Sequence, residues 1–216
     1  MAADPRQAAF LKVLERVHRH HLVGVEAARE IWIVRHADAY TQMPGLDFHF
    51  DPPLSPRGRL EATRLGRRLA AVRLDRIHTS PLRRAVETVG TLLEGRDAVG
   101  VTQDEDLREV GTDWEAGGMG RRVRRGSYPF AEPEMEVVAR AAEAMSRVLD
   151  GLDPHGRALV VTHSGWIQIY LAHLLGLRFT RLHWLPRFTS VSVVVTDGDR
   201  SVVRSLGDVT HLADLD

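Results

Sequence analysis

The chain has 216 residues, 44% hydrophobic and 27% charged, which suits one soluble globular domain with a well-buried core. Its 29 basic and 29 acidic residues balance to a formal net charge of zero, so no global field draws it to nucleic acid or a membrane surface. Cysteine is absent, which excludes disulfides, thiolate metal sites and a cysteine nucleophile. No apolar run approaches membrane-spanning length, and the opening Met1-Ala2-Ala3-Asp4-Pro5-Arg6 lacks a basic segment followed by an apolar one. The expected location is the cytoplasm. All basic residues but Lys12 are arginine, supplying planar forks suited to phosphate.

Residues 5 to about 29 read as a helix with an imperfect apolar stripe through Phe10, Leu11, Val13, Leu14, Val17, Leu22 and Val25. This N-terminal helical extension, residues 1–29, carries His18, His20 and His21. No carboxylate or cysteine pattern accompanies them, so no metal is expected there. Docking on the body, or on a second subunit in a homodimer, is the expected use. Ile31-Trp32-Ile33-Val34 then reads as a strand buried on both faces and ends in Arg35-His36. Asp38 to Pro53 is a loop, and Ser55-Pro56 opens a helix through Ala62, Leu65, Leu69 and Val72. Asp75 to Thr79 is a short strand. Ser80-Pro81 repeats the cap-plus-proline start before a helix with Leu82, Ala85, Val86, Val89, Leu92 and Leu93 inward. Val99 to Gln103 is a weak third strand.

From Asp106 to Glu132 the periodicity fails and glycines accumulate, predicting a long loop. Glu134 to Leu152 is an amphipathic helix. Ala158 to Thr162 is a strong strand that ends in His163-Ser164-Gly165 and enters a helix stopped by Gly176. Val191 to Thr196 and Val202 to Leu206 close the chain around the turn Asp197-Gly198-Asp199. This alternation predicts a three-layer α/β/α sandwich with a central, mainly parallel sheet over residues 30–216. A short lid loop is expected at about 111–132.

Polar groups gather where three predicted strands end. The first presents Arg35 and His36. The second leads to Arg83-Arg84, and the fourth to His163 at a helix N-terminus, which is itself an anion site. Leu107-Arg108-Glu109 brings a carboxyl group into the long loop. Two arginines and two histidines around one point describe a phosphate pocket, and a carboxyl group at its mouth can donate a proton. Glu105, Asp106 and Glu115 compete with Glu109 for that role.

The set resembles the histidine phosphatase superfamily, the phosphoglycerate-mutase-like fold. Arg35-His36-Ala37 is similar to its Arg-His-Gly signature, Leu54 to Ala62 to its Leu-Ser-x-x-Gly-x-x-Gln-Ala segment, and Ser80 to Thr88 to its Ser-x-Leu-x-Arg-Ala-x-x-Thr segment. Leu107-Arg108-Glu109 and His163-Ser164 match its Leu-x-Glu and late His-Gly motifs, and Gly207 to Leu212 is similar to its usual close. The resemblance runs from residue 31 to 212 and selects Arg84 over Arg83. It implies that His36 is the nucleophile, forming a phosphohistidine, with Arg35, Arg84 and His163, if cationic, around the phosphoryl oxygens. Glu109 would be the acid and then the base, with no cofactor and no metal.

Ala37 and Ser164 replace glycines of the pattern. The asparagine that many members place after the signature has no counterpart in Asp38-Ala39-Tyr40-Thr41-Gln42, which puts sugar-phosphate specificity in doubt. Long insertions resembling those of the cofactor-dependent mutases are absent, which favours a phosphatase acting on a small phosphorylated metabolite. Three alternatives stay open: a protein phosphohistidine phosphatase, a mutase, and a non-catalytic sensor of a phosphate ligand. Arg121, Arg122, Arg124 and Arg125 lie in the predicted lid, where they could hold a second anionic group of the substrate or form a solvated charged face.

Overall fold

A computed structural model describes residues 5–20, 28–39, 51–96, 99–111, 132–177 and 184–215. Six strands form one sheet: β1 (Arg29–Arg35), β2 (Arg76–Thr79), β3 (Val101–Gln103), β4 (Arg157–Thr162), β5 (Val191–Thr196) and β6 (Ser201–Asp208). Their order is β3-β2-β4-β1-β5-β6. The first four run parallel, and β5 and β6 add an antiparallel edge.

Successive side chains on a strand point to opposite faces, and the two faces are covered by different helices. Ile31, Ile33, Ala158, Val160 and Val194 pack with α4 (Glu134–Asp150) and α5 (Ser164–Leu174). Val34, Leu159, Val161, Val193 and Val195 pack with α2 (Pro56–Leu69) and α3 (Arg83–Leu92). The sheet is therefore the middle of three layers, as the sequence predicts. α5 is buried from Gly165 to Ala172, which explains why its pattern is apolar all round rather than striped.

Some boundaries differ from the sequence reading. α1 spans Pro5–His20, and Arg29 already begins β1. Phe10, Leu11, Val13 and Val17 are exposed rather than packed on the body. α2 stops at Leu69, short of Val72. Ser55 is the predicted N-cap, its Oγ accepting from Gly58 N–H at 3.0 Å with proline at the helix start. Ser80 is not one: α3 starts at Arg83, after Leu82, with no side-chain cap.

The topology fixes where chemistry can occur. β1 and β4 are neighbours, yet β1 is followed by α2 on one face and β4 by α5 on the other. Connections that leave adjacent parallel strands toward opposite faces open a crevice at the strands' carboxyl ends. Arg35-His36 and His163 occupy those two ends.

Candidate active site

β1 delivers its two polar residues rigidly because the sheet pairing continues past the strand. His36 N–H donates to the Thr162 carbonyl at 2.8 Å, and Ser80 N–H donates to Val161 at 2.9 Å, so the exits of β1, β4 and β2 are tied together. Arg35 lies with its guanidinium 3.9 Å from the centre of the Phe188 ring and donates from Nη1 to the Pro186 carbonyl at 2.8 Å. His36 is 4% exposed, against Phe188 at 5.6 Å and the His163 ring at 5.0 Å between centroids.

The tautomer of His36 follows from its contacts. Nδ1 lies 2.8 Å from the Ala37 carbonyl oxygen, which can only accept, so Nδ1 carries the proton. Nε2 then keeps its lone pair and accepts from Arg84 Nε at 3.3 Å.

The segment after His36 is held by the Leu54–Ala62 motif. Glu61, 2% exposed, accepts from Asp38 N–H at 2.9 Å, and Ser55 N–H donates to the Asp38 carbonyl at 3.1 Å. A Cβ at Gly58 would lie 1.9 Å from that carbonyl oxygen, so only glycine lets α2 approach this closely. Ala37 N–H donates to Thr88 Oγ1 at 3.0 Å, which links the signature to the far end of the Ser80–Thr88 motif.

Of the two candidate arginines, Arg84 is buried at the site and Arg83 is exposed, paired with Glu87 at 2.7 Å. Asp51 steadies this corner, accepting from Arg83 N–H and lying 3.6 Å from Arg84 Nη1. Among the acidic candidates the structure separates one from its neighbours. Glu105 pairs with Arg108, and Asp106 with Arg147. Glu109 Oε1 instead accepts from Gly165 N–H at 3.0 Å and Trp166 N–H at 3.4 Å. The helix N-terminus expected to bind an incoming anion thus already holds the Glu109 carboxylate.

His163 is fully buried, with Nε2 2.8 Å from Ser80 Oγ. Its Nδ1, like Arg35 Nε, is a buried polar atom without a hydrogen-bond partner among the described residues. Burial, reinforced by Arg84 and Arg35, drives the pKa of His36 well below its ordinary 6.5. Burial also lowers His163, with His36 and the two arginines adding to it. Burial therefore favours the neutral form of both rings. Arg35 and Arg84 are themselves pulled down by burial, and Glu109 is the foremost charge pulling them back.

This geometry agrees with comparisons to known proteins. The model of the histidine phosphatase superfamily, branch 1, matches residues 31–209. The chain belongs to that superfamily. It is 27% identical over 203 residues to phosphoglycerate mutase-like protein 4 of Arabidopsis thaliana, covering 85% of this chain and 86% of that one. Among solved structures, Bacillus stearothermophilus YhfR aligns with 28% identity and a TM-score of 0.69, over 85% of this chain and 99% of its own. A mycobacterial glucosyl-3-phosphoglycerate phosphatase aligns with 23% identity and a TM-score of 0.67, over 84% and 100%.

Within this family fold, Arg35, His36, Arg84, Glu109 and His163 are drawn to one crevice from four separate stretches of sequence. Arg121, Arg122, Arg124, Arg125 and Glu115 lie outside the described residues, as does His21. Sequence reasoning missed two members of the site. Ser80, read as a helix cap, is the partner of His163. Phe188 follows no strand and sits in no motif, so nothing in the pattern signals it.

Proposed function

We propose that the protein is a metal-independent phosphomonoester hydrolase that passes the phosphoryl group of a small phosphorylated metabolite through His36. One observation carries the reading: His36 Nε2 has its lone pair fixed by the Nδ1–Ala37 hydrogen bond, meets Arg84 and stands beside His163, with the charge of Arg35 acting on the same ring. Phosphoryl transfer needs in-line placement and charge stabilisation more than covalent help from the protein.

In the first step Nε2 attacks phosphorus, the P–O bond to the leaving group breaks, and Glu109 relays a proton brought in by the monoanionic ester to the departing oxygen. Arg35 Nε–H is a donor and His163 Nδ1 a donor or acceptor; both are buried and without a hydrogen-bond partner among the described residues, so a phosphoryl group can satisfy them. Arg84 already meets the lone pair at Nε2 and would turn its N–H groups to the phosphoryl oxygens as the N–P bond forms. Each such contact typically supplies a few kcal/mol in the transition state. In the second step water attacks the phosphohistidine, Glu109 takes its proton, and inorganic phosphate leaves with Nε2 restored.

The test is hydrolysis of p-nitrophenyl phosphate in excess EDTA, with acid-labile 32P labelling of the quenched enzyme. Wild type should turn over and carry label, and His36→Ala should do neither. Activity abolished by EDTA, or retained in His36→Ala, would overturn the mechanism. With a phosphate ester that carries a second free hydroxyl, an isomeric ester in place of inorganic phosphate would mark the protein as a mutase.

A further inference from the structure

Behind the strand end that carries Arg35 and His36, a polar chain runs to the surface through residues outside the phosphate pocket. Thr189 N–H donates to the Arg35 carbonyl at 3.0 Å and reaches the His36 carbonyl at 3.4 Å. Thr189 is fully buried and left-handed at φ 53°, a conformation that β-branched residues avoid unless their surroundings impose it. Its Oγ1 lies 3.1 Å from His211 Nε2. Arg68 Nη1 donates to His211 Nδ1 at 3.2 Å, which leaves the ring proton on Nε2 and makes Thr189 Oγ1 the acceptor. Arg68 Nη2 is anchored by Asp208 Oδ2 at 2.6 Å, and Asp208 Oδ1 is held by Thr210 N–H at 2.9 Å. The chain thus links α2, the turn after β6 and the residues before β5 to the two carbonyls of the signature.

We propose that Thr189 and His211 are positioning residues for the nucleophile: together they fix the peptide planes from which Arg35 and His36 emerge. Neither side chain touches the phosphate pocket. Their effect passes through Thr189 N–H, whose aim depends on the left-handed backbone that the Oγ1–His211 bond stabilises. The inference rests on the reading of His36 as nucleophile. It also gives a use for a half-buried histidine among arginines, since a neutral imidazole accepts from Arg68 at one nitrogen and donates to Thr189 at the other.

The test compares wild type with His211→Leu, Thr189→Val and His211→Gln, measuring kcat and KM for p-nitrophenyl phosphate, thermal midpoint, and calorimetric binding of inorganic phosphate. We expect kcat to fall about tenfold in His211→Leu and in Thr189→Val, with KM within twofold. The double variant should be no worse than either single, because both break one chain. His211→Gln, which keeps an acceptor and a donor, should recover most of kcat even if its thermal midpoint stays low. Full kcat in His211→Leu and Thr189→Val, or loss in step with thermal midpoint across all variants including His211→Gln, would overturn the proposal. If wild type proves inactive, the hydrolase reading fails, and phosphate affinity decides the positioning role. Weaker phosphate binding in both variants, restored in His211→Gln, upholds it, and unchanged affinity refutes it.

Discussion

The exits of β1 and β4 carry the same side chain, are equally buried and lie side by side, yet the two histidines are wired differently. His36 gives its Nδ1 proton to its own neighbour's carbonyl, so the reactive nitrogen is decided before any ligand arrives. His163 meets a hydroxyl at Nε2, which can donate or accept, and its Nδ1 has no hydrogen-bond partner among the described residues. A carbonyl fixes a tautomer, and a hydroxyl permits either. A nucleophile profits from the first arrangement. A group that must answer the changing charge on a phosphoryl group profits from the second.

The sharpest way to break this comparison is to remove each ring. His36→Ala should lower kcat about 10⁴-fold or more, since no second nucleophile stands at that place. His163→Ala should cost about 10²- to 10³-fold and leave the labelled intermediate detectable, as expected for a stabilising group. Label in His36→Ala, or none in His163→Ala, would reverse the assignment. Glu109→Gln sharpens the same contrast from the proton side. Its kcat should fall about 10²-fold with an alkyl phosphate and far less with p-nitrophenyl phosphate, whose leaving oxygen needs no proton. Equal losses on both substrates would remove Glu109 from that role. Ser80→Ala should be milder, about tenfold in kcat, because His163 keeps its place but loses its adjustable partner. A Ser80→Ala enzyme with unaltered kinetics would show that the hydroxyl does not tune the ring.

Much of this arrangement was readable from residues alone, for a physical reason. β1 and β4 are continuous apolar runs ended by polar residues, and such a break marks a strand exit whatever the rest of the fold does. The Leu54–Ala62 motif is legible because its glycine and serine answer to backbone geometry: Gly58 to the Asp38 carbonyl, Ser55 to the helix start. Ser80 misleads because Ser-Pro before a helix pattern is the same two letters whether the hydroxyl caps the helix or reaches across β2 and β4. Only the pairing order β2-β4-β1, which no local window contains, places it on His163. The Glu109 carboxylate at the start of α5 is hidden for the same reason, 55 residues of chain separating it from Ser164. The N-terminal stripe is the converse case. Apolar spacing predicts a helix correctly from Pro5, but spacing alone does not supply a partner for Phe10 and Val17.

The smallest expected effect concerns stability and treats the two histidines alike. Both rings are held below the ordinary 6.5 by burial and by the adjoining arginines. The unfolded chain therefore takes up protons near pH 6.5 while the folded one does not. Stability from these two sites is fully present above that value and drains away as pH falls toward the folded pKa values. His211, brought down to about 4 by burial and by Arg68, acts with the same sign. The thermal midpoint should therefore fall steadily between pH 7.5 and 5. His36→Asn and His163→Gln should each flatten part of that slope. Saturating inorganic phosphate should flatten it in wild type as well, because an anion among Arg35, Arg84 and His163 offsets the charge that keeps the rings neutral. A midpoint independent of pH over this range would mean that the rings gain protons as readily folded as unfolded. The two arginines would then not be setting the charge state of the pocket.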